Sequence, residues 1–156
     1  MIATLPPPVQ GVGIQLLNTS PAWYSRPDTY IGRVNDGLTA DPFKPGEVRT
    51  YSVRVTDTGN IPEKIDVYPA AASVSNGAWL PTYTGKNLAS SWTSVSPSAL
   101  PLNPGQGAVV TVTIRVPART AAGTQYGVVW AGPVNNAAGQ VKLNILVGIR
   151  EYLTVR

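Results

Sequence analysis

Apolar and polar side chains alternate along several segments of the chain, with the two-residue period of a β-strand that has one buried face. In residues 47–56, for example, Tyr51, Val53 and Val55 share one face, and polar side chains occupy the other. The other alternating segments are residues 63–72, 109–116 and 141–149. Between the 15 glycines and 15 prolines no apolar stripe with helical spacing remains, so the pattern predicts an all-β fold.

Turn residues separate these segments and indicate how the strands connect. Pro45-Gly46 and Pro104-Gly105 each precede an alternating strand, and residues 57–60 (DTGN) mark a turn between two others. Such short strands with regular turns are typical of an immunoglobulin-like, Greek-key antiparallel β-sandwich, for which we expect seven to nine strands. We assign residues 11–156 to this one domain and residues 1–10, which contain three consecutive prolines, to an N-terminal tether.

Three positions carry more specific structural predictions. Residues 126–131 are apolar on both faces, which predicts a central strand with Trp130 in the core. Glu151 occupies a core position in the last alternating run, and we expect a β-bulge there, because an unpaired buried charge is costly. Residues 86–91 are compatible with a short helical turn in an otherwise irregular segment.

Charge and hydropathy narrow the classes of partner. The net charge of +4 favours anionic partners in a general way. The 12 basic residues are scattered along the chain without a cluster, so nucleic acid is not a predicted partner. No apolar stretch reaches the roughly 18 residues that a membrane-spanning helix requires, and no membrane insertion by this segment is predicted.

The residue types also argue against catalysis. The chain has no cysteine and no histidine, which excludes disulfides, thiolate metal sites and the commonest general base. A carboxylate pair such as Glu47 and Glu63 stays possible, but glycosidases usually need a deep cleft that a small sandwich rarely supplies. Asp28, Asp36 and Asp41 fall in one loop segment, but their spacing does not match the EF-hand calcium-binding pattern, so we interpret them as a solvated loop. We therefore predict no enzyme activity, no metal and no cofactor.

Aromatic residues in loops are the candidates for a binding site. Trp23 and Tyr24 lie in the loop-rich residues 19–45, which follow a predicted first strand at 13–18, and Trp79 and Tyr83 lie in the irregular segment 78–100. An aromatic ring offers a flat apolar surface that can stack on a sugar, although loop aromatics also fold back as local covers. These four residues are the predicted ligand-binding residues.

The order of turn and strand motifs resembles a known family. After Pro45-Gly46 come Thr58-Gly59-Asn60, Ser96-Pro97 and Pro104-Gly105, then Val116-Pro117 and the final Gly-x-x-Tyr-Gly-Val-Val-Trp strand at 123–130. This layout resembles the N-terminal immunoglobulin-like domain of WxL-interacting proteins, which are surface proteins of Gram-positive bacteria, and the composition is similar to that of actinobacterial proteins. The resemblance implies a secreted or cell-surface location and a peptidoglycan-binding role, with no catalytic residues to assign.

Two further functions stay open from the sequence. The domain could hold another surface protein through an exposed strand edge or an apolar patch, or it could be a passive spacer in a surface assembly. Surface Trp and Tyr residues clustered at one end of the sandwich would favour a glycan ligand, and an unprotected, uncharged edge strand would favour a protein partner. Scattered buried aromatic residues with blunted strand edges would favour a spacer. The leading prediction is a non-catalytic module that binds peptidoglycan or an associated wall polymer.

Overall fold

The computed structural model describes residues 6–17, 42–134 and 146–156, together with the backbone of residues 30–31, 33–35 and 38–40. In chain order, the strands in these residues are β1 (Val12–Leu16), β2 (Tyr30–Ile31), β3 (Arg33–Asn35), β4 (Leu38–Ala40), β5 (Val48–Asp57), β6 (Glu63–Ser75), β7 (Ala78–Pro81), β8 (Thr93–Ser96), β9 (Ala99–Leu102), β10 (Gly107–Arg115), β11 (Gly123–Pro133) and β12 (Val147–Val155). A short helix, α1 (Leu88–Trp92), precedes β8. Nine of the described strands have four residues or more.

Two sheets pack face to face. The first has the strand order β1-β5-β10-β8 and is antiparallel throughout. The second has the order β2-β12-β11-β6, and both β9 and β7 pair with the outer edge of β6, at residues 63–66 and 72–75. The two-residue strand β2 runs parallel to β12, whereas β3 and β4 form a separate antiparallel hairpin. The predicted all-β antiparallel sandwich is confirmed.

The core between the sheets is formed by the alternating positions of the long strands. In the first sheet, Val53 and Val55 of β5 are fully buried, as are the inward residues of β10. The second sheet contributes Ile65, Val67, Val129, Ile149, Leu153 and Val155. Full burial of one aliphatic side chain contributes about 1.5–3 kcal/mol, so these facing rows hold the two sheets together.

Glu151 is a correction to the sequence-based prediction. Strand β12 pairs with β11 in an unbroken register from Val147 to Val155, so the expected bulge at Glu151 is wrong. The side chain points into the core with none of its surface exposed. Its carboxyl group is accommodated because Gly127, the residue directly opposite on β11, has no side chain.

The short helix lies close to the predicted helical turn. α1 begins after Asn87, whose side-chain Oδ1 accepts a hydrogen bond from the Ser90 backbone N–H at 3.0 Å. The Ser90 hydroxyl in turn accepts from the Asn87 backbone N–H at 2.8 Å, which completes a capping box. Trp92 at the end of the helix is buried in the core. Residues 141–145 of the longest predicted alternating run lie outside the described residues.

Candidate binding surface

The outward faces of the two sheets differ sharply in chemistry. On the first sheet, the outward positions of paired strands are mostly hydroxyl and arginine side chains, such as Thr111 opposite Ser52 and Thr113 opposite Thr50. On the second sheet, the outward positions include Tyr126, Val128 and Trp130 on β11. The second sheet therefore carries the larger apolar surface outside the core, and the candidate site lies there.

Trp130 is the centre of this surface. Its ring lies flat over Gly148 of the neighbouring strand, where a Cβ atom would come within 2.8 Å of Cε3 of the indole. Its Nε1 donates a hydrogen bond to the carbonyl oxygen of Thr82 at 2.8 Å. The ring of Tyr83 packs against it, with the centroids 5.8 Å apart and the planes tilted by 40°. The hydrogen bond to Thr82 thus positions the next residue, Tyr83, against the indole.

Trp79 reaches the same surface from β7. It packs against the small apolar cluster of Ala70, Val128 and Trp130. The guanidinium group of Arg150 lies 4.6 Å from the centroid of its ring, which is a favourable cation–π geometry. The indole Nε1 of Trp79 is buried and has no hydrogen-bond partner among the described residues. Trp79 is therefore held by packing and by the cation rather than by a hydrogen bond.

Three tyrosines extend the surface. Tyr68 lies opposite Trp130 on β6, and burial, followed by the nearby charge of Asp66, raises the pKa of its hydroxyl. Tyr126 and Tyr152 are paired across β11 and β12 and meet edge to face, with ring centroids 5.8 Å apart. We use the term aromatic face for the set Tyr68, Trp79, Tyr83, Tyr126, Trp130 and Tyr152.

Exposure within the aromatic face is uneven. Tyr83 is 67% exposed and so presents most of its ring to solvent, whereas Trp130 is almost completely covered. Trp79 and the three other tyrosines are half-buried. The arrangement provides one exposed ring that is backed by rigidly packed rings, with Arg150 and Asp66 as charged groups nearby.

The structure brings together two of the four predicted ligand-binding residues. Trp79 and Tyr83 both belong to the aromatic face, while Trp23 and Tyr24 lie outside the described residues, as do Asp28, Asp36 and Asp41. Trp130 is buried in a central strand as predicted, but it belongs to a separate cluster on the outer face and not to the main core. Tyr126 is not among the predicted ligand-binding residues, because residues 126–131 are apolar on both faces and nothing in the sequence marks the Tyr126 face as outward.

The carboxylates do not form a catalytic pair of the kind considered from the sequence. Glu47 and Glu63 flank opposite ends of the ten-residue strand β5, which spans roughly 30 Å. Glu47 instead forms an ion pair with Arg49, and the hydrogen bond from that guanidinium lowers the pKa of its carboxyl group. Arg49 also lies over the ring of Phe43, 4.1 Å from its centroid.

Glu63 lies beside a different acidic residue, Asp57. Burial, and next a hydrogen bond with Asp57, raises the pKa of the Glu63 carboxyl group to about 7. Although such a pKa would suit general acid–base catalysis, Asp57 is fully buried and Glu63 is 6% exposed, so a substrate could not reach either group. Among the described residues, no three acidic side chains are grouped closely enough to hold a metal ion. The described part of the chain also has no helix that could cross a membrane.

Comparison with known proteins relates the fold to solved structures. No family model and no curated protein matches the sequence significantly. PapD-like domain 7 of human CEP192 aligns with 99% of this chain and 90% of its own, at 15% identity and a TM-score of 0.50. The E. coli chaperone DraB aligns with 92% of this chain and 54% of its own, at 9% identity and a TM-score of 0.51.

A third similar structure is an enzyme. A family 123 glycoside hydrolase from Clostridium perfringens aligns with 93% of this chain but only 27% of its own, at 8% identity and a TM-score of 0.51. The chain thus spans about half of the chaperone and about a quarter of the hydrolase. At these identities the likeness shows the fold alone, which is an immunoglobulin-like β-sandwich. The predicted fold class is confirmed.

Proposed function

We propose that this domain is a non-catalytic binding module that holds a cell-wall glycan, peptidoglycan in the first place, on its aromatic face. The observation that supports the proposal is the grouping of six aromatic side chains on the outer face of one sheet, with Tyr83 67% exposed at its surface. Rings grouped in this way bind better than scattered ones, because their positions are fixed before the ligand arrives and little side-chain entropy is lost.

The chemistry of the aromatic face suits a sugar ring. The C–H bonds on one side of a pyranose form an apolar surface with slightly positive hydrogens, which packs on the electron-rich face of an aromatic ring. Tyr83 would provide that ring, and Trp130 and Trp79 would support it from below. Arg150 and Asp66, at the margins, would hydrogen-bond to hydroxyl groups.

The location of the protein follows from the same proposal. A wall-binding module works outside the membrane, so we place the domain on the cell surface or among the secreted proteins. This agrees with the sequence resemblance to the N-terminal domain of WxL-interacting proteins of Gram-positive bacteria, which remains a prediction. The absence of cysteine and histidine and the sealed Asp57–Glu63 pair support a binding role without catalysis.

Co-sedimentation with insoluble peptidoglycan tests this function. We expect retention on wall material stripped of its anionic polymers, persisting at high salt, because stacking is not screened by ions. Tyr83→Ala should weaken the binding at least about tenfold, since stacking of one ring contributes on the order of 1.4 kcal/mol. Tyr83→Phe should bind nearly as well as the parent domain. Val109→Ala is the matched control, because Val109 is 47% exposed on the other sheet. Equal retention of Tyr83→Ala and Val109→Ala would exclude the aromatic face as the site.

A protein partner is the second candidate function. Val74 is 38% exposed and lies directly opposite Trp79 on the β6–β7 hairpin, so apolar surface continues beyond the aromatic face. A surface protein that docks there would lose affinity on Val74→Glu, while Val109→Glu would leave binding intact. Calorimetric titration of purified surface proteins that co-purify with the domain would separate this function from glycan binding.

A further inference from the structure

The outer face of the first sheet carries an ordered set of short polar side chains. It is formed by the outward positions of β1, β5, β8 and β10, whose registers are continuous across the sheet. None of these outward positions is buried, so the surface is open to a ligand. We use the term hydroxyl face for it, because its Ser and Thr residues are Thr50, Ser52, Thr56, Ser94, Ser96, Thr111 and Thr113.

Most of these hydroxyl groups form two rows across the strands. In the first row, Thr113 of β10 lies between Thr50 of β5 and Ser94 of β8. In the second row, Thr111 again lies between a residue of β5 and one of β8, both of them serines. Neighbouring strands are about 4.8 Å apart and alternate residues of one strand about 6.7 Å apart, so the hydroxyl groups are regularly spaced.

An arginine lies beyond each end of the two rows. Arg54 follows the second row on β5, opposite Val109, and Arg115 lies beyond the first row on β10, opposite Val48. Because Val48 and Arg54 belong to the same strand, the register places the two arginines roughly 20 Å apart along the strand direction. Both arginines are exposed, and neither guanidinium group forms an ion pair or a hydrogen bond with a described residue.

No acidic side chain of the hydroxyl face competes for these arginines. Its outward positions on β1, β5, β8 and β10 include no Asp or Glu. Glu47, which precedes β5, is paired with Arg49, and Asp57 at the other end of β5 is fully buried. The second sheet differs, because the outward positions of β6 include both Lys64 and Asp66. The hydroxyl face is therefore complementary in charge to an anion.

The side chain of Arg54 is partly fixed by a glycine on the neighbouring strand. A Cβ atom at Gly107 would lie 3.5 Å from both Cγ and Cδ of Arg54, so the aliphatic part of the arginine lies over the backbone of β10. This packing restricts the side chain before a ligand arrives, which reduces the entropy lost on binding. The guanidinium group stays exposed at the end of the hydroxyl rows.

We propose that the hydroxyl face binds a linear wall polymer of phosphodiester-linked polyols, which runs along the strands from Arg54 to Arg115. A guanidinium group pairs with phosphate through two parallel hydrogen bonds. Ser and Thr hydroxyl groups donate to phosphate oxygens and accept from the hydroxyl groups of a polyol. The choice of a wall polymer rests on the proposed function, whereas the binding surface is separate from the aromatic face and lies on the opposite sheet.

Nucleic acid shares the phosphodiester backbone but fits this surface less well. Sites for single-stranded nucleic acid combine positive charge with aromatic side chains on which the bases stack. The outward positions of β1, β5, β8 and β10 include no aromatic residue. A polymer whose repeat carries hydroxyl groups in place of bases therefore matches the hydroxyl face better.

Fluorescence anisotropy with a labelled oligomer of glycerol phosphate tests the proposal. We expect saturable binding whose log K falls with log salt at a slope of about −1.4, the value for two neutralised phosphates on a single-stranded polymer. Oligothymidylate of equal charge should bind at least about fivefold more weakly, because it lacks hydroxyl groups along its backbone. Equal or tighter binding of oligothymidylate would overturn the choice of polymer, and the absence of saturable binding to glycerol phosphate would overturn the site.

Two charge-matched double variants separate the hydroxyl face from the net charge. Arg54→Gln with Arg115→Gln and Lys64→Gln with Lys86→Gln remove the same charge, but only the arginines belong to the hydroxyl face. We expect the arginine pair to weaken binding at least about tenfold and to remove most of the salt dependence. The lysine pair should bind within about twofold of the parent domain. Equal losses in the two variants would assign the binding to general charge and overturn the site.

Thr111→Glu tests the second hydroxyl row independently of the arginines. Thr111 is exposed, so the substitution leaves the core intact while it places a carboxylate in the path of the polymer. We expect at least about tenfold weaker binding, because like charges repel, and an unchanged affinity would overturn this path. All these variants should sediment with stripped peptidoglycan as the parent domain does, so a failure of the hydroxyl face is distinguished from a failure of the aromatic face.

Discussion

Gly127 and Glu151 face each other across β11 and β12, and the carboxyl group of Glu151 occupies the space that a side chain at residue 127 would need. A Cβ atom at residue 127 would lie 2.7 Å from Oε1 of Glu151 and 3.1 Å from the Cβ of Ala89 in the helix α1. The glycine thus allows three elements to meet around one buried acid. Because of this packing, a side chain at residue 127 cannot be added unless the carboxyl group of Glu151 or the helix moves.

Gly127→Ala should destabilise the domain by about 1–3 kcal/mol, because the added methyl group must displace either the carboxyl group or the helix. The measurement is urea unfolding followed by tryptophan fluorescence. Gly13→Ala is the matched control, since the nearest atom to its added Cβ would be Cγ2 of Thr58 at 3.3 Å, the end of an exposed side chain. Equal stability losses in the two variants would contradict the steric explanation.

The protonation state of Glu151 follows from the hydroxyl group of Thr93. Oγ1 of Thr93 lies 2.8 Å from the carbonyl oxygen of Ala89 and 2.9 Å from Oε2 of Glu151. A hydroxyl group has one proton, and the carbonyl oxygen can only accept. Thr93 therefore donates to Ala89, and Glu151 carries its own proton and donates to Thr93. Burial agrees with this assignment, because it raises the pKa of Glu151 to about 8.

Glu151→Gln should remove one component of the pH dependence of stability. In the parent domain the raised pKa of Glu151 gives a stabilising contribution that is complete below the unfolded pKa of about 4.5 and is lost as the pH rises through about 8. Between these two pH limits, the contribution of Glu151 to the free energy of unfolding falls by on the order of 3–5 kcal/mol. Urea titrations at pH 5, 7 and 9 measure it. Glu63→Gln is measured alongside it, because Glu63 is another carboxyl group whose pKa is raised. A Glu151→Gln variant with the full pH dependence of the parent domain would exclude an ionisable Glu151.

The sequence predicted the sandwich because alternation and burial are linked directly. Val53 and Val55 had to share a face, and that face had to be covered, whichever strand turned out to be the neighbour. Glu151 was wrongly assigned to a bulge, because the rule that buried charges are costly was applied to a group that is neutral. Its neutral form is stabilised by contacts with Thr93, Ala89 and Gly127, which are distant from it in sequence. No local sequence pattern predicts that these residues come into contact.

The aromatic face was only half predictable for a similar reason. Trp79 and Tyr83 were identified as candidates because they stand in an irregular, aromatic-rich segment. Their neighbours Tyr68 and Tyr152 come from strands that are brought together by sheet order, and a single sequence does not specify that order. Alternation in residues 126–131 places Tyr126 and Trp130 on one face of the strand, but both faces are apolar, so the sequence does not show which one is outward.

Asn87 caps the helix α1 and also bonds it to the strands β6 and β11. Different replacements of Asn87 can separate these two roles. Its Oδ1 caps α1, whereas its Nδ2 donates to the carbonyl oxygen of Tyr126 at 2.7 Å and to that of Ala72 at 3.2 Å. Asn87→Ala loses all three bonds and should cost about 2–3 kcal/mol. Asn87→Asp keeps a good capping group but places a negative charge against the two carbonyl oxygens.

We therefore expect Asn87→Asp to be at least as destabilising as Asn87→Ala, although aspartate is as good a helix cap as asparagine. Urea unfolding at pH 7 compares the two variants. Ser91→Ala is the control for the helix itself, because Ser91 is exposed and bonds only to Leu88 within α1 among the contacts resolved for its hydroxyl group. A nearly neutral Asn87→Asp would mean that capping alone fixes the helix and that the bonds to Tyr126 and Ala72 contribute little. A large loss would instead assign the anchoring of α1 over β11 and β6 to the amide group.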